Sequence, residues 1–136
     1  MAPTASMIDL FNNKMSEFCR DLTNMYPNDS DLMSFKTAFK MSILVDEFKP
    51  VRLFHRYVVL PFGTELLNRD ECVFLNPGAV ESAVKDALIN ESSQDLLVDT
   101  LLTNLRRYWS QMSGDDRDAV WNYFKVLILL SKKLMD

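Results

Sequence analysis

DDRDAVWNYFKVLILLSKKL, residues 115–134, is the stretch that decides the fold. Asp115, Asp116 and Asp118 stand at its start and Lys132 and Lys133 at its end, so negative charge meets the positive pole of a helix and positive charge the negative pole. Between these ends, Val120, Tyr123, Phe124, Leu127, Leu130, Ser131 and Leu134 recur at the α-helical period, which gathers them on one face. Val126, Leu127, Ile128, Leu129 and Leu130 are also apolar in succession, and at about 100° per residue such a run goes more than halfway round the cylinder. A helix apolar over so much of its circumference packs on several sides. The stretch is therefore expected to be the central or near-central element of a small all-α domain.

The rest of the chain supplies helices to pack around it. Val98, Leu102, Leu105, Trp109 and Met112 form a second apolar stripe, widened by Leu97, Leu101 and Tyr108 and stopped by Ser113-Gly114. Near the other end, Ser6 is read as the cap of a helix with Ile8, Phe11, Met15, Phe18, Leu22 and Met25 on one face. Asn13, Glu17, Arg20, Asp21 and Asn24 make its polar side, and Pro27 ends it. Residues 28–31 are rich in cap residues and open a helix carrying Leu32, Phe35, Ala38, Phe39 and Ile43 to about Glu47. Lys49-Pro50 breaks that helix and starts a third, to about Val59, with Leu53, Phe54, Tyr57 and Val58 as its apolar face. Residues 57–60 are also β-prone, which leaves a short strand within 57–75 as an alternative. Pro61 and Gly63 are expected to stop the element in either case, with only single helical turns at 64–67 and 70–74. Asn76-Pro77-Gly78 signals a turn, Val80, Ala83, Val84, Ala87 and Leu88 a fourth helix, and Ser92 with Asp95 a capping box for the next. The whole reads as one all-α domain over residues 1–136, five to six helices around an apolar C-terminal helix.

Composition narrows the function classes. Glycine occurs only three times, which disfavours a turn-rich β-sandwich. Fifteen basic and nineteen acidic residues leave a net charge of −4, so there is no global attraction to nucleic acid or anionic lipid. The longest apolar run falls far short of the about 20 residues needed to span a bilayer, and no membrane insertion is expected. Residues 1–7 lack the pattern of a secretory signal and Ala2 excludes myristoylation, so the expected setting is intracellular. Cys19 and Cys72 have no CxxC spacing and are expected to be reduced, buried apolar filler. Asn28-Asp29-Ser30 and Asn90-Glu91-Ser92 match the glycosylation triplet, and both read better as helix caps.

No reaction is announced. His55 is the only histidine, no serine sits in a GxSxG turn, and no Gly-rich phosphate loop occurs. A small enzyme would need a pocket joining His55 to a carboxylate. Asp29 with Asp31, and Asp115 with Asp116 and Asp118, lack the glycine and distal glutamate of a calcium loop and read as helix starts. No catalytic residue, cofactor or metal is expected. Lys49, Arg52 and Arg56 are spaced to share one helix face, and Arg106-Arg107 form a second basic pair. These five are the candidate phosphate contacts of a nucleic-acid-associated regulator, provided that the two clusters converge. Eight methionines suit either adaptable partner-binding surfaces or gap-filling in a core. On the back of the last helix, Leu129 projects between Asn122, Lys125 and Lys133, with Trp121 and Ile128 at its flank. Trp121, Ile128 and Leu129 are thus the candidate contact for self-association or a protein partner, with burial inside the chain as the alternative.

Residues 49–54 (KPVRLF), 60–63 (LPFG), 69–75 (RDECVFL) and 120–124 (VWNYF), with Tyr26-Pro27 closing the first helix, resemble a family of short, largely uncharacterised helical proteins encoded by large DNA viruses of algae and other protists. The likeness covers most of the chain and lies in its apolar patterning. It implies a viral origin and a role in virions, in host manipulation or in viral gene expression, in the host cytoplasm or the virion. It brings no activity, cofactor or functional residue with it. The arrangement of amphipathic helices around an apolar one is also similar to viral apoptosis regulators of the Bcl-2 type, which would imply modulation of host cell death. The signature of that group is missing, because Trp109-Ser110 and Trp121-Asn122 lack the glycine and arginine that should follow.

Overall fold

In the computed structural model, residues 2–75 and 96–135 are described, with side chains at 6–75 and 101–135. The turn at 76–78, the helix expected around residues 80–88 and the capping box at 92–95 lie outside them. α1 (Ala2–Met25) begins ahead of the expected cap Ser6, since Pro3 falls in the first turn, where its missing N–H has no helical partner to lose. It buries Ile8, Phe11, Met15, Phe18, Cys19 and Leu22. Asp29 caps α2 (Ser30–Val45), its Oδ1 accepting the Leu32 N–H at 3.0 Å, as the cap-rich turn leads one to expect. Leu32, Phe35 and Phe39 are buried, whereas Ala38 is exposed and Ile43 only partly covered. Cys19 is the buried thiol, pushed up to about 12 by desolvation, with Lys36 and Lys40 pulling weakly the other way. Cys72 is exposed, against expectation, because the short helix that carries it turns Val73 and Phe74 inward instead.

The middle of the chain departs most from the sequence pattern. α3 (Lys49–Phe54) passes through a π-helical turn (His55–Val59) into α4 (Leu60–Leu67), a continuous helical stretch over residues 49–67. Neither Pro61 nor Gly63 stops it. A proline ring collides with the carbonyl four residues back and donates no hydrogen bond. Here the backbone widens by one residue just before Pro61, so that the Leu60 N–H reaches back five residues to the His55 carbonyl. Gly63 costs a helix about 1 kcal/mol relative to alanine, a penalty that burial of the flanking Phe62 and Leu66 can offset. α4 ends with the Asp70 N–H on the Glu65 carbonyl and the Arg69 N–H on the Leu66 carbonyl, at 2.8 and 3.2 Å, a helix-stop geometry that places its pivot residue in the left-handed region. The pivot is Arg69, at φ 56°. Its guanidinium bonds Asp118 at 3.1 Å and Asn122 at 3.2 Å. No strand occurs among the described residues.

α5 (Cys72–Leu75), α6 (Leu96–Trp109) and α7 (Gly114–Met135) are the remaining helices among the described residues. α7 packs on α1, α3, the π turn and α4, while α6 packs on α2, α5 and the π turn. One cluster of buried residues runs through all of them. It is rich in rings: Phe74 stacks on Trp109 at 4.5 Å, Trp109 meets Trp121 edge-on at 5.0 Å, and Phe18 meets Phe124 edge-on at 5.5 Å. Burying one such side chain contributes roughly 1.5–3 kcal/mol. Arg117 ties the α6–α7 corner, donating to the last carbonyl of α6, that of Trp109, at 3.0 and 2.7 Å.

Candidate functional site

The contact patch expected on the back of α7 is dismantled by this packing. Trp121 and Ile128 are buried, Trp121 against the rings of Phe74 and Trp109, and only Leu129 faces outward at 45% exposure. The apolar sector of α7 is wide enough to be held between α1 on one side and the 49–67 rod on the other. Other exposed apolar side chains stand at the C-terminal end of α2 and, on the rod, at Leu60. Val45 is 81% exposed and Leu60 70% exposed, with Met41 and Leu44 also uncovered.

Val45 and Leu60 line a cleft of about 560 Å³, whose walls also include Leu53 and Met135. Its charged side consists of Lys49, Arg52 and Arg56, with Asp46 the one carboxylate among its described lining residues. The three basic residues read as one face of the third helix thus line one cleft. The π turn explains why Leu60 joins them. In an uninterrupted α-helix, Arg52 and Leu60, eight residues apart, would stand about 80° out of line. The extra residue of the π turn takes back about 100° of rotation, so Arg52, Arg56 and Leu60 form a single exposed column. Asp46 builds the rim: Oδ1 accepts the Phe48 N–H at 3.0 Å and Oδ2 the Arg52 guanidinium at 2.7 Å. The arginine bond first, and the backbone N–H after it, hold this carboxyl below the usual carboxylate range.

His55 also lines the cleft, and its Nδ1 lies 3.1 Å from the Ser131 Oγ of α7. Nothing in the sequence joins two residues so far apart. A histidine beside a serine is half of a nucleophilic arrangement. Ser131, however, has 0% exposure, so its hydroxyl offers no surface to a substrate, and Asp46 is engaged by Arg52 rather than by His55. What the pair does is satisfy a buried hydroxyl and fasten the π turn to α7. No cluster among the described residues could hold a metal ion, and no described helix is long and apolar enough to cross a membrane.

The second basic pair lies at a different place. Arg107 donates to Asp29 at 3.4 Å and to Asp31 at 3.2 Å, beside the hydrogen bond from the Tyr108 hydroxyl to Asp29. That group lines a separate cavity of about 500 Å³, with Tyr26 stacked on Tyr108 at 3.8 Å, and shares no residue with the first. The Tyr108 bond, more than any other influence, holds the Asp29 carboxyl low, and the same bond pushes the Tyr108 hydroxyl up. The Asp29 side chain is 4% exposed. The two arginine-bearing sites therefore differ in lining: one is a network of acid, tyrosine and arginine, the other a cleft with an apolar floor and a basic side. No protein-family model, curated protein or solved structure matches this chain.

Proposed function

We propose that this chain is a non-enzymatic interaction or structural module, of viral origin as its resemblance implies, that works through helix-surface contacts with another protein in the virion or the host cytoplasm. The supporting observation is the cleft at the C-terminal end of α2, where strongly exposed aliphatic side chains stand beside three cations. Single exposed aliphatics are ordinary, but several gathered in one place and rimmed by polar groups are a mark of a contact surface. The nucleic-acid alternative has less in its favour, because Arg107 is committed to Asp29 and Asp31 and does not line the cleft that holds Lys49, Arg52 and Arg56. Affinity purification of the tagged full chain from its native cell or virion, with chemical cross-linking before lysis, tests the reading. The expected result is a protein cross-linked reproducibly to helix-surface residues. Recovery of nucleic acid that resists high salt, or of no cross-linked protein at all, overturns it.

A further inference from the structure

We propose that the outer face of α2 pairs with the same face of a second copy of this chain, the two helices running antiparallel about a two-fold axis between Met41 and Ser42. Met33, Thr37, Ala38, Met41, Leu44 and Val45 are all exposed and none is charged, so α2 carries an uncovered, largely apolar face opposite the buried Leu32, Phe35 and Phe39. Two features single out a second copy as the occupant. The first is charge. Lys36 and Lys40 lie close enough to the Cys19 thiol of α1 to act on it, and the Glu47 carbonyl accepts the Asn12 amide of α1 at 3.1 Å. Lys36 and Glu47 therefore stand on the same flank, the one turned toward α1, and among the described residues neither is held in an ion pair. Two-fold symmetry lays that flank against itself in reverse. Lys36 and Glu47 are equally far along the chain from the point between Met41 and Ser42, so Lys36 of each copy meets Glu47 of the other. The second feature is size. Val45, at 81% the most exposed of the large apolar residues described, and Ala38, the smallest residue of the face, are equidistant from the same point. They lie about two helical turns apart on the opposite edge, and the axis that pairs the charges also sets Val45 of each copy into the gap beside Ala38 of the other. One helix pair of this length buries little beside the interfaces of stable complexes, so the dimer is weak and its charges fix register more than affinity. This pairing goes beyond the interaction-module reading, which concerns a different protein.

The test is sedimentation velocity of the full chain across a concentration series, where a monomer–dimer equilibrium is expected. Glu47→Lys and Lys36→Glu should each raise the dissociation constant by about tenfold, because symmetry removes the ion pair twice and puts like charges in its place, while the helical circular dichroism spectrum is retained. An equimolar mixture of the two variants should recover the wild-type dimer population, since every lysine again meets a glutamate. In a chain carrying Cys72→Ser, with Cys19 buried, Met41→Cys should be linked to itself by a short bis-maleimide and Met33→Cys should not. A wild-type chain that stays monomeric at millimolar concentration, a dimer indifferent to both charge variants, a mixture that does not recover, or equal linkage at positions 33 and 41 each overturns the proposal. A monomeric chain that is still cross-linked to a different protein in its native cell removes the pairing and leaves the module reading standing.

Discussion

Both halves of α7 carry bulky apolar side chains, and they meet different surroundings. In the first half, Val120, Trp121 and Phe124 lie among the rings of Phe18, Phe74 and Trp109. Polar ties close the edges there: Tyr123 to Asp21, Arg69 to Asp118 and Asn122, and Arg117 to the Trp109 carbonyl. In the second half Leu127, Ile128 and Ser131 are buried, yet Val126, Leu129 and Met135 are left exposed, and Met135 stands at the cleft with Val45 and Leu60. One end of the helix is sealed by aromatic packing and charge pairing, and the other ends beside uncovered aliphatics. Helix propensity and apolar content do not separate them; the neighbours do.

Three substitutions would sharpen that contrast or break it. Phe124→Ala, at the closed end, should destabilise the protein by about 3–5 kcal/mol in denaturant unfolding, the range for removing a buried ring. A much smaller loss would mean that the aromatic cluster is not what holds α7.

Asp29→Ala lies on the α2–α6 side and removes a helix cap along with the partner of Tyr108 and Arg107. It should cost about 1–2 kcal/mol, the upper part of the cap range. The carboxyl is held low in the folded state, chiefly by the Tyr108 bond, so folding favours the ionised form. Its stabilisation is therefore present above about pH 4, where the unfolded carboxyl ionises, and is lost as pH falls through the lower folded value. Wild type and variant should consequently draw together in stability under acid, and a constant difference between them from pH 7 downward would contradict the network.

At the open end, Leu60→Asp should change stability by less than about 0.5 kcal/mol, because an exposed side chain has little packing to lose. A thermal unfolding midpoint close to that of wild type is the expected readout. A clear drop would show the cleft to be part of the core and would erase the distinction between the two ends.

Much of this architecture is legible along the chain. The charge-marked ends of α7, the stripe from Ile8 to Leu22, the stripe from Leu102 to Trp109 and a helix cap within residues 28–31 follow from periodicity and capping, and the structure bears them out, with Asp29 as the capping residue. So does the shared face of Lys49, Arg52 and Arg56, since residues three and four apart on a helix are neighbours whatever the fold. These are local properties, set by the backbone repeat and by side-chain chemistry within a turn or two.

What the sequence leaves open is which neighbour covers each apolar side chain, and that is decided over long distances in the chain. Trp121, Ile128 and Leu129 lie on one helix, yet Phe74 and Trp109 cover the first, the core takes the second and the third remains partly in water. Pro61 and Gly63 read locally as stops, but packing of the 49–67 rod against α7 favours continuing the helix, and one widened turn accommodates the proline. The same turn aligns Leu60 with Arg52 and Arg56 and fastens His55 to Ser131. Periodicity ranks residues by their wish to be buried; only the tertiary structure, by supplying or withholding a neighbour, determines which of them are.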